Sequence, residues 1–131
     1  MFRELQIQTA KRREFIDITR LISDTVQEIG DGLVLVFSPH TTAAVTINEN
    51  WDPDVLHDFL LFWDQQVPKA FPGFRHGEGN SDSHILTSVF GPSTTVMVHN
   101  GKLKMGQWQG IYFCEFDGPR MRTCWIQTVA T

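Results

Sequence analysis

The stretch Leu33-Val34-Leu35-Val36-Phe37 decides how this chain is read. It is a continuous apolar run of strand length, entered through the turn residues Asp31-Gly32. A strand without polar alternation is expected to be covered on both faces, so it is placed at the centre of a sheet. It delivers the chain to Pro39-His40-Thr41-Thr42, after which Ala43 to Ile47 reads as a further strand.

Working outward from that strand, Phe2 to Gln8 alternates apolar and polar residues, and Glu14 to Thr19 reads as a second strand. The intervening Lys11-Arg12-Arg13 reads as a solvated turn, as do Lys102 and Lys104 further on. A short helix with Leu21, Ile22, Val26 and Ile29 on one face ends at Gly30. Asp52-Pro53 opens a longer helix, by a capping carboxylate and a first-turn proline. Its stripe of Val55, Leu56, Phe59, Leu60, Trp63 and Val67 predicts packing on the sheet. A third helix follows, capped by Ser81 or Asp82, with Ile85, Leu86, Val89 and Phe90 as its apolar stripe and Gly91 as its stop. Thr94 to His99 and Leu103 to Met105 form a hairpin on Asn100-Gly101. Trp108 to Phe116 and Met121 to Val129 read as a last hairpin closed by Asp117-Gly118-Pro119. The expectation is one α+β domain over residues 1–131, mostly antiparallel, with about seven or eight strands and two or three helices.

Composition narrows the function classes. The chain has 131 residues, 41% of them hydrophobic and 20% charged, enough for a core without disulfides. A net charge of −4 argues against nucleic-acid binding. No apolar run reaches transmembrane length and the N-terminus carries no signal pattern, so a cytoplasmic protein with no membrane partner is expected. Cys114 and Cys124 read as buried free thiols.

The window richest in chemistry is His76-Gly-Glu-Gly-Asn-Ser-Asp-Ser-His84. With His40, at the end of the central strand, His76 and His84 make a candidate three-histidine metal site, which suits zinc with one open position. Glu49 is the candidate base for a metal-bound water or a substrate hydroxyl. Asp82 is read as a helix cap. Arg120 and Arg122 are read either as a fork for phosphate or as partners of Asp117 and Glu115. His57 is read as a boundary residue, and His99 as exposed.

Several separated motifs carry a resemblance. Pro39-His-Thr-Thr-Ala-Ala-Val-Thr-Ile-Asn-Glu-Asn-Trp-Asp-Pro53, the His76–His84 loop, Gly101-Lys-Leu-Lys-Met-Gly-Gln-Trp-Gln-Gly-Ile111 and Glu115-Phe-Asp-Gly-Pro-Arg120 resemble, in this order, the signatures of the YjbQ-like family. The chain departs from that pattern at Gln107, where the family usually has threonine, and at Met97, often proline. The resemblance implies a β-sandwich-like core, a homotrimer and the family's label of secondary thiamine-phosphate synthase, acting on a phosphorylated small molecule. It implies site roles for His40, Thr41, Glu49, Asn80, Gln109, Arg120 and Arg122, with His40, His76 and His84 holding the metal. Thiamine-phosphate chemistry would call for magnesium if the substrate is a diphosphate, whereas the histidines favour zinc. The residues by themselves therefore also support a zinc hydrolase or lyase, or a non-catalytic metabolite- or metal-binding module.

Overall fold

The structure is a computed structural model that describes residues 1–131. Three helices and eight strands follow the order β1 (Phe2–Gln8), β2 (Glu14–Asp17), α1 (Thr19–Val26), β3 (Gly32–Phe37), β4 (Ala43–Glu49), α2 (Pro53–Gln66), α3 (Ser81–Phe90), β5 (Ser93–His99), β6 (Lys102–Lys104), β7 (Gln109–Glu115) and β8 (Met121–Ala130). Two antiparallel sheets form, one in the order β1-β8-β3-β5-β6 and one in the order β2-β7-β4. The α+β reading holds.

The inward faces of the two sheets share the main core, where Val34, Val36, Val96, Val98 and Ile126 meet Val45, Ile111 and Phe113, closed at one end by Ile22 and Val26 of α1. The other face of the smaller sheet carries a second core of Ala44, Tyr112, Cys114, Phe116 and Leu86, with Phe15, Leu56, Trp63 and Phe90 packed around it. The layers therefore run large sheet, small sheet, then α2 and α3.

Three expectations change. The strand covered on both faces is β7, buried from Gly110 to Glu115, because it is the central strand of the small sheet, which lies between the two cores with β2 and β4 on either side. In β3, Val34 and Val36 face the core while Leu33 and Leu35 point outward, 41% and 37% exposed. β7 and β8 do not form a hairpin: β7 pairs with β2 and β4, β8 with β1 and β3, so the Asp117–Arg120 connection crosses between sheets. Finally, α2 has its expected cap, Asp52 Oδ1 accepting from Asp54 N at 2.9 Å, yet buries none of its residues fully. Leu56, Trp63 and Val67 touch the second core while Leu61 and Phe62 face solvent.

The Asn100-Gly101 hairpin forms as read. Both residues have positive φ, 51° and 71°, and a side chain at 101 would strike the carbonyl oxygen of Gln27. Cys114 and Cys124 are buried thiols, and burial raises both well above the ordinary range, Cys124 to about 12. No helix is long and apolar enough to cross a membrane.

Candidate functional site

Leaving β3, the chain turns from one sheet to the other through Ser38, whose hydroxyl donates to Ala43 O at 2.8 Å and accepts from His40 N at 3.3 Å. This fixes His40, Thr41 and Thr42 at the seam. The His40 ring stands edge-on to Phe113, and its Nε2 accepts a hydrogen bond from Thr123 N at 2.9 Å. A ring nitrogen that accepts is unprotonated, so the neutral ring carries its proton on Nδ1. Burial first, then the nearby Arg122 guanidinium, lowers the His40 pKa and favours that neutral form.

The second wall comes from the 76–84 loop. Gly79, at φ 70°, donates its N–H to His76 O at 3.0 Å, and this tight turn brings the His76 ring to 5.3 Å, edge to face, from the His84 ring on α3. Asn80 occupies the helix N-cap position and is 5% exposed. Its Nδ2 donates to Asp117 Oδ2 at 2.7 Å, and its Oδ1 is buried with no hydrogen-bond partner.

What holds this loop is a part of the chain that the sequence reading set aside. Asp82 does not cap α3; it is fully buried and takes both guanidinium nitrogens of Arg12, at 3.0 and 3.1 Å, and Arg13 Nη2 at 2.6 Å. Arg13 also reaches Asp64 on α2 and Val67 O, while Arg12 lies 3.8 Å from Asp117. The Lys11-Arg12-Arg13 turn is therefore a clamp on α2, α3 and the 117–120 crossover, not a solvated strand end. Burial alone would raise the Asp82 pKa; the bonds from Arg12 and Arg13 overcome it and hold the carboxyl below its usual range. The clamp also rotates α3: Asp82, Ser83, Leu86 and Thr87 are its buried face, and Ile85 and Val89 are exposed. The signal was present, since Asp82 and Leu86, and Ser83 and Thr87, each stand four apart on one helix face.

Arg120 and Arg122 divide between the two readings offered for them. Arg120 remains half-exposed, with Nε on Asp117 O at 3.0 Å and Nη2 on Asp117 Oδ2 at 3.1 Å. Arg122 is buried and binds Glu115 with Nε and Nη2 and Thr42 with Nη2. It is mainly the counter-ion of Glu115. That carboxylate also accepts from Thr9 Oγ1 at 2.7 Å and Asp117 N at 3.0 Å. Its pKa stays low because these bonds outweigh the burial that would raise it.

Together these elements form a cleft of about 400 Å³ that unites His40, Thr41, His76, Asn80, His84, Arg120 and Arg122, with Glu78 at its edge and, apart from Pro39, only polar side chains in its lining. Glu49 and Gln109 are not in it. They pair with each other at the far end of β4 and β7, six strand steps and so about 20 Å from the Glu115 end. Glu49 Oε2 accepts from Asp52 N, and Gln109 Oε1 from Gly106 N at 2.7 Å. Within one chain, Glu49 cannot serve the histidines as a base.

The fit to a metal is partial. No three histidine, cysteine or carboxylate side chains converge on one point. His76 and His84 are neighbours, but His40 has one nitrogen engaged by Thr123 and the other protonated, so it has no free lone pair to offer. The three-histidine set expected from the sequence is not formed in this geometry.

Residues 3–131 match the family described as UPF0047 protein YjbQ-like. UPF0047 protein YugU of Bacillus subtilis is 53% identical over 129 residues, covering 97% of this chain and 98% of that protein. A UPF0047 protein of Methanocaldococcus jannaschii is 46% identical over 131 residues, covering 98% and 94%. An uncharacterised YjbQ/UPF0047 family protein from Clostridium acetobutylicum has a crystal structure that superposes with a TM-score of 0.93 at 48% identity, over 96% of this chain and 98% of that one. A YbjQ-like protein of unknown function from Sulfolobus solfataricus gives 0.93 at 28% identity, over 100% and 97%. By match length and identity, this chain belongs to the UPF0047 (YjbQ-like) family.

Proposed function

We propose that this protein is a small-molecule enzyme that binds a phosphorylated substrate in the His40–His76–His84 cleft, with activity of the secondary thiamine-phosphate synthase type. The observation that carries the reading is a concavity, polar but for Pro39, in which a half-exposed Arg120 guanidinium stands beside three imidazoles. Asp117 holds two of the Arg120 nitrogens and so orients the rest of the fork toward an anion. His40 Nδ1–H is a further donor, and Asn80 Oδ1 is a buried acceptor for a ligand N–H or O–H. A divalent ion, zinc by the chemistry of its donors, is proposed on His76 and His84, where it would add positive charge for a phosphate.

Inorganic phosphate titrated calorimetrically into tag-free protein tests this, with and without one equivalent of zinc. Binding is expected, and Arg120→Ala should weaken it about tenfold. Absence of phosphate binding in both conditions overturns the reading. Incubation with pyrimidine and thiazole phosphate precursors then tests the synthase assignment, with loss of product in His84→Ala expected. The zinc hydrolase or lyase reading is favoured by the adjacent His76 and His84 rings, but its base would be Glu78 at the cleft rather than Glu49. A non-catalytic module is the outcome if phosphate binds and no substrate turns over.

The protein is proposed to act as a homotrimer. Phe2, Leu33, Leu35, Met97, Trp125 and Val129 leave the outer face of the large sheet apolar and exposed. Leu61, Phe62, Ile85 and Val89 do the same on the helix side. Two different uncovered faces on opposite sides of one chain suit head-to-tail contacts, which close into a ring.

A further inference from the structure

We infer that Phe71 and Phe74 form a separate compartment for a planar, unsaturated ring carried by the ligand whose anionic group occupies the polar cleft; this rests on the phosphate reading of that cleft. A second cavity, of about 570 Å³, opens beside the first, and His76 belongs to the walls of both. Phe71 and Phe74 lie in it on the loop before His76, their ring centroids 5.3 Å apart and inclined by 35°. The loop is held in a turn by Phe74 N donating to Phe71 O at 3.1 Å, with Gly73 at φ 96° supplying a conformation that other residues rarely adopt. Neither ring belongs to either apolar core, and they are 55% and 38% exposed. Two phenylalanines packed on each other beside a polar cleft, rather than on a core, present an apolar wall to whatever that cleft holds.

The geometry restricts what fits. At 5.3 Å the two rings are already in mutual contact, so a ligand ring cannot enter between them and must lie against their outer faces. Apart from Pro39 the polar cleft offers no apolar side chain, so an apolar part of the ligand has this neighbouring cavity as its place. Lys69, Ser81 and His76 at its rim supply polar contacts to ring substituents. The ligand class is thus a flat ring attached through a short link to a phosphate or similar anion, with Phe71 and Phe74 setting the preference for the ring.

Calorimetry with inorganic phosphate, phenyl phosphate and cyclohexyl phosphate tests this. Phenyl phosphate should bind about tenfold more tightly than inorganic phosphate, from burial of the ring. Phe71→Ala and Phe74→Ala should each lose most of that advantage and leave inorganic phosphate affinity and melting temperature unchanged, since both side chains lie at the surface. Cyclohexyl phosphate should fall clearly below phenyl phosphate. Equal affinities for phenyl and inorganic phosphate overturn the compartment, and equal affinities for phenyl and cyclohexyl phosphate overturn its preference for a flat ring. If inorganic phosphate itself does not bind, the phosphate reading fails and the compartment falls with it.

Discussion

Replacing Glu115 by glutamine removes one negative charge from the fully buried centre of the crossover and leaves its geometry nearly intact. In the parent, Glu115 receives Arg122 Nε and Nη2, Thr9 Oγ1 and Asp117 N, and Arg122 is itself buried. The variant leaves a buried guanidinium without a counter-ion, with only neutral acceptors, one amide oxygen at position 115 and the two Thr42 oxygens. Breaking a buried pair from one side costs about 3–5 kcal/mol. For a chain of this length that lowers the melting temperature by roughly 10–20 °C. Urea unfolding is the assay, at one fixed protein concentration because assembly also shifts apparent stability. Glu115→Leu combined with Arg122→Met should recover at least half the loss, since no unpaired charge remains. The pH dependence has a definite sign. A carboxylate with lowered folded pKa contributes stability above its unfolded value, about 4.5, and loses it as pH falls through the folded value. The parent should therefore lose stability below about pH 4.5 more steeply than Glu115→Gln does. A loss under about 1 kcal/mol, or a double variant as unstable as the two single losses added, would refute the pair as a unit.

Other expectations follow from the same geometry. Asp82→Asn should cost about 3 kcal/mol by leaving Arg12 and Arg13 short of charge, and should also weaken phosphate binding, because the clamp carries the 76–84 loop; unchanged phosphate affinity in the folded variant would separate the clamp from the site. His40 has a lowered folded pKa, so the stability tied to its neutral form is complete above the unfolded value near 6.5 and declines as pH drops below it; His40→Gln should flatten that slope in unfolding curves below about pH 6.5, and an unaltered slope would remove His40 from the titration. Zinc content should fall in His76→Ala and His84→Ala and persist in His99→Ala, and retention of one zinc per chain in both of the first two would place the ion elsewhere. Sedimentation should give three times 15.0 kDa, and Leu35→Lys on the outer sheet face should shift it toward the monomer; a parent that sediments as a monomer defeats the trimer.

The sequence by itself determined the element order, because periodicity, caps and turns are local. Pro53 behind Asp52 starts α2, Asn100-Gly101 makes its hairpin, and His76 and His84 are brought together by a short glycine-containing loop. Only the tertiary structure decided which strand is buried on both sides, since Leu33–Phe37 and Ile111–Glu115 are both short apolar-rich runs and the layer order distinguishes them. It also decided the site's membership. Glu49 and His40 stand nine positions apart, but an extended strand holds them at opposite ends of a sheet, while Arg12, seventy positions from Asp82, reaches its fully buried carboxylate. Ion pairs between distant segments leave no periodic trace, because what selects them is the cost of burying a charge without a partner. That cost arises only where packing excludes water, and packing is a property of the folded chain.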